Sequence, residues 1–123
     1  MRDIEFRGKS VDKGIWFYGY YFYSEKEDKH YIIGESKDYG FQKVEVTPET
    51  VGQYTGLKDK NGLKIYEGDI MTSANDVKGI IKYENGMFLL EFNTGFNRLN
   101  TYTGDGFKYF EVIGNVHEEA QDD

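Results

Sequence analysis

The sequence predicts an all-β protein, and three observations carry that expectation. Its apolar side chains are dominated by eleven Tyr and nine Phe, with Ile and Val beside them and little Ala or Leu, which suits pleated, half-buried surfaces and not helices. Asn-Gly, the strongest short-range reversal signal because both residues tolerate positive φ, occurs at Asn61-Gly62 and again at Asn85-Gly86. Fifteen Gly against a single Pro fit many turns. At most one or two short helical turns are expected. A chain of 123 residues is one domain by length, able to bury roughly two thirds of its unfolded surface around one modest core.

Taken in order, Ile4-Glu5-Phe6-Arg7 alternates as a short strand, and Gly8 with Asp12-Lys13-Gly14 supplies the reversal. The second arm is the aromatic run Ile15 to Tyr23. Period two puts Trp16, Tyr18, Tyr20 and Phe22 on one face and Phe17, Tyr21 and Tyr23 on the other, so both faces are expected to be covered. Ser24 to Lys29 is a charged turn, and His30 to Gly34 reads as the next strand, antiparallel because the connection is short. Phe41 to Val46 alternates as a fourth, edge strand. Thr47 is placed to cap one helical turn, with Pro48 at its first position and Gly52 ending it.

The Asn61-Gly62 reversal joins two strands, and Ile65 to Ile70 opens a run in which a Gly-Asp turn precedes a strand and a second Gly, Gly79, follows about ten residues on. Ile80 to Tyr83 and Met87 to Phe92 flank Asn85-Gly86 as a hairpin. Residues 93–106 read as a long loop with a short arm at Arg98 to Tyr102, Tyr109 to Val116 as the closing strand, and the acidic end from Glu118 as frayed. No internal repeat of useful length is visible.

One stretch resembles a known family. VGQYTGLKDKNGLKIYEGDI at 51–70 is similar to the signature of the YopX family, small proteins carried by phages and prophages of Gram-positive bacteria. IEFRGK at 4–9, WFYGYY at 16–21 and EVIGNV at 111–116 resemble that family's opening and closing segments in the same order. The resemblance implies an all-β fold of the SH3-like small-barrel type and a phage origin, and it brings no biochemical activity and no functional residue. Together with the strand reading it gives a single domain over 1–123. Within it, a small barrel over 51–118 has an N-terminal β-meander over 1–46 packed on it, and 119–123 form a frayed tail.

Charge and composition narrow the function. A net charge of −7 argues against unaided attraction to phosphate backbones or anionic membranes, which depend on local Lys and Arg excess. The cations Arg2, Arg7, Lys9 and Lys13 near the aromatic run are offset by Asp3, Glu5, Asp12, Glu25, Glu27 and Asp28. Neither duplex DNA nor a membrane is therefore expected as a partner. With no Cys, disulfides, thiolate metal sites and a Cys nucleophile are excluded, which suits a reducing bacterial cytoplasm. The N-terminus lacks the apolar segment of a secretory signal, and the longest apolar run is too short to span a bilayer.

Candidate chemistry is sparse. Glu67 and Asp69 flank Gly68, and two carboxylates two residues apart on an extended strand would point the same way, as an acid/base or metal pair needs. A tight turn in which Asp69 accepts backbone N–H groups explains the same residues. Asp59-Lys60-Asn61-Gly62 is similar to part of a calcium loop without its downstream Glu. His30 and His117 are far apart in sequence, outside any ligand spacing. No nucleophile elbow and no phosphate-binding or dinucleotide glycine motif occurs. No metal, cofactor or catalytic residue is expected.

The aromatic run is the feature with a second use, since Tyr and Trp faces anchor protein interfaces and also stack bases. The candidate binding residues are Trp16, Tyr18 and Tyr20, the aromatics flanking the Asn61-Gly62 reversal, Tyr54 and Tyr66, and the turn carboxylates Glu67 and Asp69. The leading expectation is a non-enzymatic phage accessory protein that binds another protein, of phage or host. The rival is single-stranded nucleic-acid binding through residues 16–23, and a distant third is an enzyme at Glu67 and Asp69. Self-association through an open edge such as Phe41 to Val46 is also expected.

Overall fold

The computed structural model describes residues 4–36, 40–73, 77–93, 99–102 and 109–118. The chain is all-β, with one short 3-10 segment at residues 48–50, and it divides into two compact units, Met1–Tyr54 and Thr55–Asp123.

The first unit is an antiparallel meander. Strands β1 (Phe6–Lys9), β2 (Trp16–Ser24), β3 (Lys29–Ser36) and β4 (Gly40–Glu45) pair in succession. A 3-10 turn (Pro48–Thr50) follows, and β5 (Gly52–Lys58), which runs on into the second unit, returns antiparallel to β1 through Phe6↔Gln53 and Arg7↔Gly52. The strand order is β4-β3-β2-β1-β5. A bridge between Ser10 and Val46 draws the end of β4 back toward the end of β1.

The second unit repeats this plan. The chain crosses from β5 to its neighbour β6 (Lys64–Tyr66) through the Asn61-Gly62 reversal. Then β7 (Asp69–Thr72), β8 (Lys78–Glu84), β9 (Met87–Asn93) and β10 (Leu99–Tyr102) form a second meander. Strand β11 (Glu111–Asn115) comes back antiparallel to β7, with a register shift between Val112 and Gly114. Both units therefore have a four-strand meander and a fifth strand paired with the first. This order is consistent with an SH3-like small barrel, although neither sheet closes among the described residues. The repeat lies in the topology and leaves no trace in the sequence.

The interiors follow the period-two pattern. In the second unit Ile65, Met71, Ile81, Leu90 and Phe110 form one buried cluster, edged by Leu57, Phe88 and Val112. Ile81 and Leu90 sit opposite each other on β8 and β9. Burying such a side chain contributes about 1.5–3 kcal/mol. In the first unit the buried apolar set is Tyr31, Ile32, Val46 and Tyr54.

Asn85 and Gly86 both take positive φ, 54° and 80°, and close the β8–β9 hairpin, as a twist-matched two-residue turn requires. Two local expectations need correction. Gly8 lies inside β1 opposite Phe17 and not in the reversal; a side chain there would press on Val46, whose Cβ lies 3.0 Å from the Cβ position, so the glycine serves close packing and not a turn. The turn itself is closed by the Gly14 N–H donating to the Ser10 carbonyl. Thr47 precedes the 3-10 turn without a side-chain cap. Its carbonyl accepts instead from the Thr50 amide and hydroxyl, and the turn ends in extended Val51 and not at Gly52. The expected frayed tail, residues 119–123, and most of the long loop lie outside the described residues.

Candidate functional site

Strand β2 carries the most conspicuous surface. In antiparallel pairing, directly opposed residues share a face, so the register places Tyr20 with Ile33 and Lys43, and Phe22 with Tyr31 and Glu45. Glu35 and Phe41 belong to the same face. Tyr20 is 67% exposed and Phe41 75%, while Tyr18 and Phe22 are each about half exposed. The expectation that both faces of the aromatic strand are covered is thus wrong for this face. The other face is the covered one, where Phe6 packs on Tyr21 and Ile32 is buried. There His30 lies 4.7 Å from the Tyr23 ring and shares a 2.6 Å hydrogen bond with the Tyr21 hydroxyl.

Tyr31 belongs to this face too and is covered by its neighbours there: its ring is buried, stacks at 6.5 Å on Phe22 and carries the Lys43 ammonium 4.5 Å from its centre. Its hydroxyl donates to Glu27 at 2.5 Å, and that bond pushes its pKa up to about 12, so it remains a neutral donor at any physiological pH.

Pairing of β2 with β3 stops at Tyr20↔Ile33, at a crossing of two glycines. A Cβ on Gly19 would lie 2.3 Å from the Ile33 carbonyl oxygen, and one on Gly34 would lie 2.5 Å from that of Tyr18. Only glycine permits this approach. Beyond it the first half of β2 pairs only with β1, and a cleft of about 290 Å³ opens, lined by Trp16, Phe17, Ile32, Gly34, Gln42 and Val44 among others. Trp16 is half-buried, with the Arg7 guanidinium 4.7 Å and the Lys9 ammonium 5.5 Å from its ring centre.

The remaining candidates lie elsewhere in the chain. Tyr54 and Tyr66 are buried, so neither can present a binding surface; their place beside the reversal says nothing of which side of the sheet is covered. Tyr66, Glu67 and Asp69 come together in the β6–β7 turn, where Gly68 takes φ +94°. Asp69 is 1% exposed, and its Oδ2 accepts the Tyr66 N–H at 2.7 Å. The two carboxylates therefore do not project side by side from one extended strand: Glu67 is a turn residue and Asp69 bonds the backbone of that turn. Among the described residues no group of three His, Asp or Glu gathers as metal ligands would.

Sequence reasoning placed Asp59 in a turn but missed its reach. Its Oδ1 accepts the N–H groups of Asn61 and Leu63, and its Oδ2 that of Val112, 53 residues away in β11. Burial pushes this carboxyl up, yet the bonds from Val112, Leu63, Asn61 and Gly62 outweigh that and hold its pKa below the ordinary value. Phe41, Ile33 and Lys43 were likewise missing from the candidate site, although the alternation of residues 41–46 already put Phe41 and Lys43 on one face. Among the described residues no helix is long and apolar enough to cross a membrane.

Compared with known protein families, residues 5–121 match the model of the family described as YopX protein. No curated protein matches the chain.

Proposed function

The chain belongs to the YopX family, and from that premise we propose that it is a non-enzymatic phage or prophage accessory protein. It acts in the bacterial cytoplasm by binding another protein through the exposed aromatic face of β2 to β4. The observation that carries this reading is the exposure of Tyr20 and Phe41, with Tyr18 and Phe22 half exposed beside them. Contiguous aromatic surface of this kind is unusual on a monomer without a partner and is the composition of interface hot spots. A cleft of about 340 Å³, lined by Tyr18, Tyr20, Ile33 and Glu35 among others, opens on this same face and offers a concave seat beside the rings.

Cross-linking and pull-down from host cells test the proposal, with tagged wild type set against a Tyr20→Ala/Phe22→Ala double variant. Loss of a specific captured protein from the variant, with unchanged circular dichroism, is the expected result. Equal capture by both would remove the aromatic face from the account.

A further inference from the structure

We propose that the outer edge of β4 pairs antiparallel with β4 of a second copy, about a twofold axis at Gln42. The proposal uses a backbone edge and does not depend on the aromatic-face reading. It starts from the strand order, in which β4 ends its sheet and has no strand neighbour on its outer side among the described residues.

Hydrogen bonding fixes which groups face outward. The Val46 N–H donates to the His30 carbonyl at 2.9 Å, so residues 42 and 44 also point their backbone groups at β3, and residues 41, 43 and 45 point theirs away. The Glu45 carbonyl is already taken by the Val11 N–H at 3.0 Å, beside the Ser10↔Val46 bridge. What remains, apart from the Glu45 N–H at the end of the strand, is the N–H and C=O of Phe41 and of Lys43, an exposed extended edge of the kind that templates pairing.

Only one symmetric register satisfies all of these groups without Glu45. It sets Phe41 of one copy opposite Lys43 of the other, twice by symmetry, with the two Gln42 residues facing each other on the axis. That register is also complementary in chemistry. It brings the Lys43 ammonium against the 75%-exposed Phe41 ring of the other copy, a favourable cation–aromatic pair. A shift that centred the axis on Lys43 would oppose two ammonium groups. Pairing over so short a strand buries well under the ~1,000 Å² of a stable interface, so a Kd on the order of 100 μM is expected.

The chain has no cysteine, so single-cysteine variants report the register directly. Facing Gln42 residues form a pair without mutual hydrogen bonds, with Cα atoms about 4.5 Å apart, within disulfide range. Gln42→Cys is expected to oxidise readily to a covalent dimer, and Val44→Cys, which faces Gly40 in this register, is not. Sedimentation velocity of the wild type should show the mass rising with concentration through the expected Kd. Lys43→Pro removes one outward N–H without touching the β3 pairing and should abolish that rise. If Lys43→Pro alters the circular dichroism, Phe41→Lys, which opposes two cations across the pair, takes its place. A wild type that stays monomeric to several times that Kd, or cross-linking at Val44→Cys in preference to Gln42→Cys, overturns the proposal. So does a monomer whose edge instead takes up a foreign strand, seen as host-protein capture lost in Lys43→Pro.

Discussion

The second unit packs Ile65, Met71, Ile81 and Leu90 side by side, each essentially without exposed surface. The first has Tyr31, Ile32, Val46 and Tyr54 as its buried apolar residues and leaves Tyr20, Phe22 and Phe41 in contact with water. Yet the two run the same course of meander and returning strand. Strand order here therefore follows from where the reversals fall and which strand edges remain to be paired, and an aromatic strand can carry rings on both faces because Tyr tolerates water at its hydroxyl end.

The comparison breaks if the two sets of large apolar residues prove energetically alike. Leu90→Ala is expected to cost about 2–5 kcal/mol of stability, the range for truncating a buried aliphatic side chain. Tyr20→Ala is expected to cost under about 0.5 kcal/mol. Urea unfolding of both variants measures the contrast, and similar losses would mean that Tyr20 is covered in solution.

A smaller effect tests the crossing that opens the cleft. Gly19→Ala forces a methyl into a backbone carbonyl 2.3 Å away, and a loss of about 1–3 kcal/mol is expected. Thermal unfolding checks it, and an unchanged midpoint would show that β2 and β3 do not approach this closely.

Within the second unit, Asp59 ties the β5–β6 loop to β11. Asp59→Asn should cost about 1–2 kcal/mol at neutral pH, because the amide keeps one accepting oxygen and its NH2 cannot accept, while Asn61, Leu63 and Val112 divide their N–H groups between both carboxylate oxygens. Its folded-state pKa lies below the ordinary value. The extra stability is therefore fully present above the unfolded pKa of about 4 and is lost as pH falls through the lower folded value. Wild type and variant should converge in stability under acid, and a gap that persists at pH 2 would contradict this role for the charge.

The smallest expected signal is with nucleic acid. The net charge of −7 and the Arg7 and Lys9 groups already lying by Trp16 leave stacking without an electrostatic funnel. Fluorescence anisotropy with labelled oligo-dT and a duplex of similar length should show no duplex binding and at best weak single-strand binding at physiological salt. A sub-micromolar single-strand affinity that Trp16→Ala abolishes would place base stacking ahead of protein binding.

The strand class, nearly every strand, both Asn-Gly reversals and the edge strand at residues 41–46 are legible in the residues themselves, as the family is in its motifs. The strand and turn features are local properties, set by propensity, period and turn chemistry within a few residues of one another. Long-range packing sets the return of β5 to β1 and of β11 to β7, the bond from Asp59 to Val112, the burial of Tyr54, Tyr66 and Asp69, and the exposure of Tyr20 and Phe41. Each of these depends on residues distant in the chain or on which side of a sheet is covered. Period two sorts side chains onto two faces without saying which face meets water, and Tyr, apolar in its ring and polar at its tip, is stable on either.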